Sequence, residues 1–319
     1  MNELPVSVVI PTHNRAHYLM QALDSVFAQT SPASEILVID DGSNDDTRPR
    51  LDRLVRAEKI RYFYQSQRGV SAARNKGIEL ATFPLIAFLD SDDLFLPTKL
   101  EKQSQVFRDQ PDLGFVHCGF SKFNDQGEDL GIRDTSRFTG NIYPSILQEW
   151  SVLMAMPCML VRNEVLREVG GFDEKMVWAE DMDLWRRISR RYAIRVVPEV
   201  LVKVRVHASS TTFERAGGVS GFERYIDKAF EEDKSLSLMF KRRVKSKMYS
   251  KLGQNLLGNG NSRQMKLVRQ YQAKAICNWP LGFGAIFTWL ASFLPLNVRN
   301  VMASIARQYR YPAEKIEKL

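Results

Sequence analysis

Four short apolar runs within the first ninety residues each stop at polar or acidic side chains, and the stretches between them carry apolar residues at helical spacing. No other feature constrains the fold as strongly, because strand and helix patterns in alternation mark an α/β sheet with mostly parallel strands. Ser7 to Ile10 is the first run, and Leu19, Ala22, Leu23, Val26 and Phe27 form one face of the helix after it. Ile36 to Ile39 ends in Asp40, Asp41 and Gly42 and leads to a helix through Leu51, Leu54 and Val55. Ile60 to Tyr64 precedes Gly69 and a helix through Ala72, Ala73 and Ile78, and Leu85 to Leu89 stops at Asp90. Polar residues therefore collect at strand ends, the side on which open α/β sheets bind ligands.

Beyond Leu113 the pattern is mixed. A strand near Phe115 to Cys118, a long loop from Asn124 to Arg137 and a helix from Glu164 to Val169 stopped by Gly170 and Gly171 are expected. After Thr212 the chain reads as helices, at Phe222 to Phe240, Val244 to Leu257 and Gln264 to Ile276. The change of pattern predicts an α/β domain over 1–212 and a helical, basic region over 213–319.

Composition excludes some classes. Cys118, Cys158 and Cys277 are odd in number, far apart and without a CxxC spacing, which argues against a disulfide framework or structural zinc and fits a reducing cytoplasm. Met1 to Pro5 has no basic segment leading into an apolar stretch, so no signal peptide is expected. The net charge of +8 comes from the last third: Glu214 to Leu319 holds 19 Lys and Arg against 8 Asp and Glu. Such a surplus suits nucleic acid, an anionic membrane surface, or solubility alone.

Several segments could carry chemistry. Asp90-Ser91-Asp92-Asp93 crowds three carboxylates after an apolar strand. A divalent cation would relieve their repulsion, and hard oxygen ligands suit magnesium or manganese, while a solvated helix-capping turn is the bland alternative. At Asp40-Asp41-Gly42-Ser43 a carboxylate could accept the N–H of a pyrimidine, or the residues could simply make a turn. Glu180-Asp181 opens a helix through Leu184, Trp185 and Ile188, where a carboxylate could serve as general base or only favour the helix dipole. His207 leaves the basic-apolar strand Leu201 to Val206 as a metal ligand or an ordinary polar residue. Arg15, Arg68 and Arg74 are candidates for a diphosphate clamp or ordinary surface arginines.

Taken in order, these segments resemble the inverting family 2 glycosyltransferases of the GT-A fold, of the bacterial surface-polysaccharide type. The residues that carry the resemblance are Val8-Val9-Ile10-Pro11-Thr12-His13-Asn14-Arg15, Val38-Ile39-Asp40-Asp41-Gly42-Ser43, Gly69-Val70-Ser71-Ala72-Ala73-Arg74-Asn75, Phe88-Leu89-Asp90-Ser91-Asp92-Asp93, Gly170-Gly171-Phe172-Asp173, Glu180-Asp181-Met182-Asp183-Leu184-Trp185 and His207. They span roughly residues 6 to 210. The resemblance implies a GT-A nucleotide-diphospho-sugar transferase fold with a mostly parallel central sheet flanked by helices, plus a helical C-terminal extension. It implies that Pro11, Thr12, His13, Arg15, Asp41, Arg74, Asp90 and Ser91 bind a nucleotide-sugar, with Asp90 near the ribose. Asp92, Asp93 and His207 would hold a divalent cation, Mn or Mg. Asp181 would be the catalytic base, supported by Glu180. The implied reaction is an in-line displacement that moves one sugar, from a UDP-sugar donor, to a hydroxyl of a saccharide or lipid-linked saccharide acceptor in cell-surface polysaccharide synthesis. The QxxRW element of processive synthases is absent, since the helix after Asp181 reads Leu184-Trp185-Arg186-Arg187.

Trp279 to Leu296 is the most apolar stretch, but Pro280 and Pro295 leave about 14 usable residues, fewer than a membrane span needs. An interfacial helix flanked by Lys241-Arg242-Arg243, Arg299, Arg307, Arg310, Lys315 and Lys318 would suit an anionic leaflet, and packing on the catalytic domain or a second subunit in a homo-oligomer is the other reading. The expected place is the cytoplasm, peripheral on the inner face of the cell membrane, with no nucleic acid as partner. Two rival functions are a sugar nucleotidyltransferase and a non-enzymatic membrane adaptor with a degenerate transferase domain. Pro11-Thr12-His13-Asn14 lacks the glycine-rich loop of the first, and intact Asp92 and Asp181 speak against the second.

Overall fold

A computed structural model describes residues 4–110, 112–134, 138–148, 155–207, 218–257, 262–295 and 298. The chain divides into two compact units, Met1–Tyr225 and Ile226–Leu319. Thr212, where the sequence places a boundary, lies outside the described residues, as do Arg137, Leu296, Arg299, Arg307, Arg310, Lys315 and Lys318.

The first unit opens with the expected alternation: β1 (Val6–Thr12), α1 (Ala16–Phe27), β2 (Glu35–Asp41), α2 (Thr47–Arg56), β3 (Arg61–Gln65), α3 (Val70–Leu80) and β4 (Leu85–Phe88). β1 pairs in parallel with β2 and β4, and β2 in parallel with β3. Every residue of β1, β2 and β4 is buried, which is why these strands read as continuous apolar runs. β3 lies at the sheet edge and keeps exposed positions. α3 lies directly on β1 because Gly77 has no Cβ, which would come within 2.2 Å of Val9 Cγ1.

There follow β5 (Leu94–Phe95), α4 (Lys99–Asp109), β6 (Leu113–Asn124), β7 (Asp129–Asp134), β8 (Leu160–Arg162), α5 (Asn163–Glu168), α6 (Glu180–Ser189), β9 (Ala193–Val206) and α7 (Gly218–Glu232). The sheet order is β3-β2-β1-β4-β8-β6-β9-β5, with β7 on β6. The parallel character is complete from β3 to β4; beyond it the sheet is mixed, β8 running antiparallel to β4 and β6 while β6 and β9 are parallel. Two expectations are corrected. The stretch read as a loop from Asn124 holds β7, which forms a hairpin with β6. The strand expected at Leu201 starts earlier, at Ala193, and pairs with β6 along most of its length.

In the second unit α8 (Leu238–Leu257), α9 (Ser262–Asn278) and α10 (Phe283–Ala291) share a small core of Leu257, Met265, Val268 and Ala291. The single helix expected over Phe222 to Phe240 is broken after Glu232, since the Asp233 carboxylate accepts the Ser235 N–H (3.0 Å) and hydroxyl (2.6 Å) in place of helical continuation. No helix among the described residues is long and apolar enough to cross a membrane.

Candidate active site

The carboxyl ends of β1, β2 and β4 converge, and their loops are stitched together by hydrogen bonds. After β1 the backbone at Asn14 is left-handed (φ 52°), a conformation that asparagine tolerates better than most residues. Its N–H donates to Ser43 Oγ (2.9 Å) and its Oδ1 accepts the Asn44 N–H (2.8 Å). His13 Nδ1 lies 2.8 Å from the Asp41 carbonyl oxygen. The Asp41 carboxylate accepts three donors, Gln65 Nε2 (2.7 Å), the Arg68 N–H (2.9 Å) and the Gly69 N–H (2.7 Å). It thereby anchors the loop that leads into α3. Pro11 and Thr12 are buried at the end of β1, and Thr12 Oγ1 has no hydrogen-bond partner there, a deficit that buried hydroxyls seldom carry.

The acidic turn after β4 sends its carboxylates to three different elements. Asp90 accepts Arg74 Nη2 at 2.7 Å. Asp92 Oδ2 meets Arg15 Nη1 and lies 2.9 Å from His207 Nε2. Asp93 accepts the Arg205 N–H of β9 at 2.8 Å, and Ser91, between Asp90 and Asp92 in sequence, is buried. Burial, reinforced by the charges of Asp90 and Asp92, raises the Asp93 carboxyl well above the usual range.

Arg74 joins this turn to the second acidic element. Its side chain is 6% exposed, and besides Asp90 it reaches Glu180 Oε1 at 3.1 Å. Ala179, in the left-handed region at φ 59°, turns the chain into α6 so that Glu180 and Asp181 stand in the first turn. A non-glycine residue held there is a strained position, and such positions cluster at functional sites. Burial, and then the Glu180 charge, push the Asp181 carboxyl up to about 7, against the opposing pull of the Met182 N–H and Arg74.

Three residues outside the sequence-derived candidates support this arrangement. Arg205 donates from Nε to the Asp92 carbonyl (2.9 Å) and from Nη2 to Gln21 Oε1 (2.7 Å), and its guanidinium lies over the rings of Phe123 (4.3 Å) and Tyr18 (4.8 Å). Tyr18 stacks on His207 with centroids 5.1 Å apart and donates its hydroxyl to Asp125. Asn75 clamps Phe172, accepting its N–H (2.7 Å) and donating to its carbonyl (2.9 Å). The glycine before it is required, because Gly171 sits at φ 63° and a Cβ there would lie 2.5 Å from Asn75 Oδ1. Asn75 had a legible signal, following Arg74 in one motif. Arg205 had none, since it reads as one more basic residue in a strand. Arg68 points elsewhere, to Glu174 at 2.9 Å.

Acidic residues gathered at the carboxyl edge of a sheet that is parallel on one side and mixed on the other define the GT-A class of fold. Solved structures share it. A Staphylococcus aureus TarS fragment in complex with UDP-GlcNAc aligns with a TM-score of 0.54 at 17% identity, covering 97% of this chain and 93% of that one. The Pyrobaculum calidifontis mannosyltransferase PcManGT, in complex with GDP-Man and Mn2+, also gives 0.54, at 18% identity over 98% and 82%. The family model "Glycosyl transferase family 2" matches residues 7–170, and the chain belongs to that family. An uncharacterized glycosyltransferase of Rickettsia felis is 36% identical over 213 residues, 67% of this chain and 35% of the relative. The putative teichuronic acid biosynthesis glycosyltransferase TuaG of Bacillus subtilis is 36% identical over 127 residues, 39% of this chain and 50% of its own. The match thus spans about a third of the length of the Rickettsia relative.

Proposed function

We propose that this chain is an inverting glycosyltransferase that moves one sugar from a nucleotide-diphosphate donor, with UDP as the carrier, to a hydroxyl of a saccharide or lipid-linked saccharide acceptor. The observation that carries the reading is Arg74, which ties Asp90 of the acidic turn to Glu180 beside Asp181 and so unites a donor-binding edge with a candidate base. In this reading Asp181 removes the proton of the acceptor hydroxyl as its oxygen forms a bond to the anomeric carbon. The bond from that carbon to the donor diphosphate breaks on the opposite side, and configuration inverts. A carboxyl pushed up to about 7 matches the task, because a general base works best with a pKa near the operating pH. Pro11, Thr12, His13 and Asp41 line the base and ribose end with Asp90 and Ser91, the unsatisfied Thr12 hydroxyl being a ready partner for the nucleoside. Arg15 and Arg74 supply positive charge for the diphosphate.

The residues present fit a divalent cation, manganese or magnesium. Asp92 and His207 offer an oxygen and a nitrogen donor 2.9 Å apart. Among the described residues no group of three such side chains is gathered, and a two-residue donor set suits an ion that also takes phosphate oxygens of its substrate. When bound, the cation would stabilise charge developing on the leaving diphosphate. Asp93 contributes by fixing β9 against the acidic turn through the Arg205 N–H. The likeness to TuaG, a putative teichuronic acid biosynthesis glycosyltransferase, supports a role in cell-surface polysaccharide synthesis.

The test is nucleotide release from UDP-, GDP- and dTDP-sugars in the presence of manganese and candidate acceptors, with product stereochemistry read by NMR. Release from one donor, at least about a thousandfold slower in Asp181→Asn, is expected for loss of a general base. Equal rates for wild type and Asp181→Asn, or retention of configuration, would contradict the reading.

A further inference from the structure

The second unit carries an amphipathic helix turned inside out. In α10 the residues facing the other helices are small or polar, with Ala285 2%, Thr288 3% and Ala291 1% exposed, and Ser292 just beyond is equally buried. The large apolar residues face outward: Phe283 is 82% exposed, Phe287 53%, Leu290 56% and Leu294 39%, a stripe at i, i+4, i+7 and i+11. Leu281 and Phe293 flank it at 70% and 55%. A helix whose surroundings are water does the opposite, and contiguous exposed apolar faces mark interaction sites.

Charge narrows the occupant. Residues 234–313 contain fourteen Lys and Arg and not one Asp or Glu. One of these cations sits at the rim of the apolar stripe, where the Arg269 guanidinium lies 4.0 Å over the Phe293 ring and donates to the Ser292 carbonyl at 3.1 Å. A second copy of the chain would bring no carboxylate from this segment to pair with those cations. An anionic bilayer meets both features, taking the aromatic and leucine side chains below the headgroups and the cations at phosphate level. Nine residues of helix extend about 14 Å, so α10 is suited to lie in the interface plane, not to span.

We infer that the outward face of α10, with Leu281, Phe293 and Leu294, is a docking surface for anionic phospholipid membranes. The surface requires neither donor nor acceptor, so it stands or falls separately from the transfer reading.

The experiment is cosedimentation of the full chain with large unilamellar vesicles, either of phosphatidylcholine alone or with about a third phosphatidylglycerol, at low and high salt. It compares wild type with the triple variant Phe283→Asp, Phe287→Asp and Leu290→Asp. All three sites are exposed, and an unchanged melting temperature and unchanged nucleotide binding report an intact fold. Wild type is expected to bind anionic vesicles at least about tenfold better than neutral ones, since each cation near such a surface gains about fivefold. The triple variant should lose at least about tenfold. Wild type that stays in the supernatant with anionic vesicles, or a triple variant that binds as well as wild type, would overturn the inference. So would lipid-free light scattering in which wild type is a dimer and the triple variant a monomer, or RNA binding that displaces the protein from vesicles and survives the triple substitution.

Discussion

Replacing Asp181 by asparagine should stabilise the fold while removing activity, and the gain should grow with pH. The Asp181 carboxyl rises from an ordinary 3.8 to about 7, chiefly through burial and secondly through Glu180. A folded value above the unfolded one means that the fold prefers the protonated form. Its contribution is complete below about pH 4 and is lost as pH rises through about 7. At about 1.4 kcal/mol per unit, ionising Asp181 in the folded protein costs at most about 4 kcal/mol. The side chain keeps part of its surface open to solvent, and its charge is shared with Glu180 and Arg74, so about 2 kcal/mol is the expected net value. Asparagine has nearly the same shape and never ionises. Urea denaturation of both proteins between pH 5 and 8.5 should therefore show Asp181→Asn gaining roughly 1–2 kcal/mol on wild type across that range, with nucleotide release slowed about a thousandfold. A stability difference that is constant with pH, or that shrinks as pH rises, would refute the argument from burial.

Two further substitutions test the supports of the site. Arg74→Met leaves Asp90 and Glu180 facing each other without the cation between them, and should cost about 2–3 kcal/mol in chemical denaturation. Because Arg74 also holds the Asp181 carboxyl down, the acid limb of any remaining pH–rate profile should move upward in this variant. Gly171→Ala forces a Cβ toward Asn75 Oδ1 at a left-handed position and should cost about 2 kcal/mol by calorimetric melting, with Asn75→Ala partly relieving the clash.

The sequence was most legible where burial is complete. β1, β2 and β4 are covered on both faces, so their apolar runs and their abrupt polar ends could be read directly, and the candidate residues Thr12, Asp41, Asp90 and Asp92 follow from them, while Glu180 and Asp181 are legible as acidic residues opening an amphipathic helix. The side-chain traffic between them could not be read. That Arg74 bridges two acidic elements depends on α3 bringing it within reach of residues 16 and 106 positions away. Arg205 meets Asp93 only through the antiparallel pairing of β5 with β9, a contact across 112 positions. β7 is hard to read because Asp129–Asp134 is short and its alternation is a single pair, Leu130 and Ile132 on either side of Gly131, too little to mark a strand among polar neighbours. The break after Glu232 was missed because Asp233 and Ser235 act through side-chain hydrogen bonds and no proline or glycine announces it. In the second unit, composition alone identified the apolar stretch around α10, while its reversal, small residues inward and aromatics outward, emerged only from burial.

In the function proposed for this chain, the carboxyl edge of β1, β2 and β4 binds a nucleotide diphosphate together with a cation held at Asp92. Calorimetric titration of UDP, GDP and dTDP into the protein, with and without manganese, in wild type and Asp92→Ala, tests it most directly. One nucleotide, UDP, is expected to bind, strengthened at least about tenfold by manganese in wild type, with that strengthening lost in Asp92→Ala. Folded wild-type protein that binds none of the three, or manganese enhancement that is undiminished in Asp92→Ala, would contradict it.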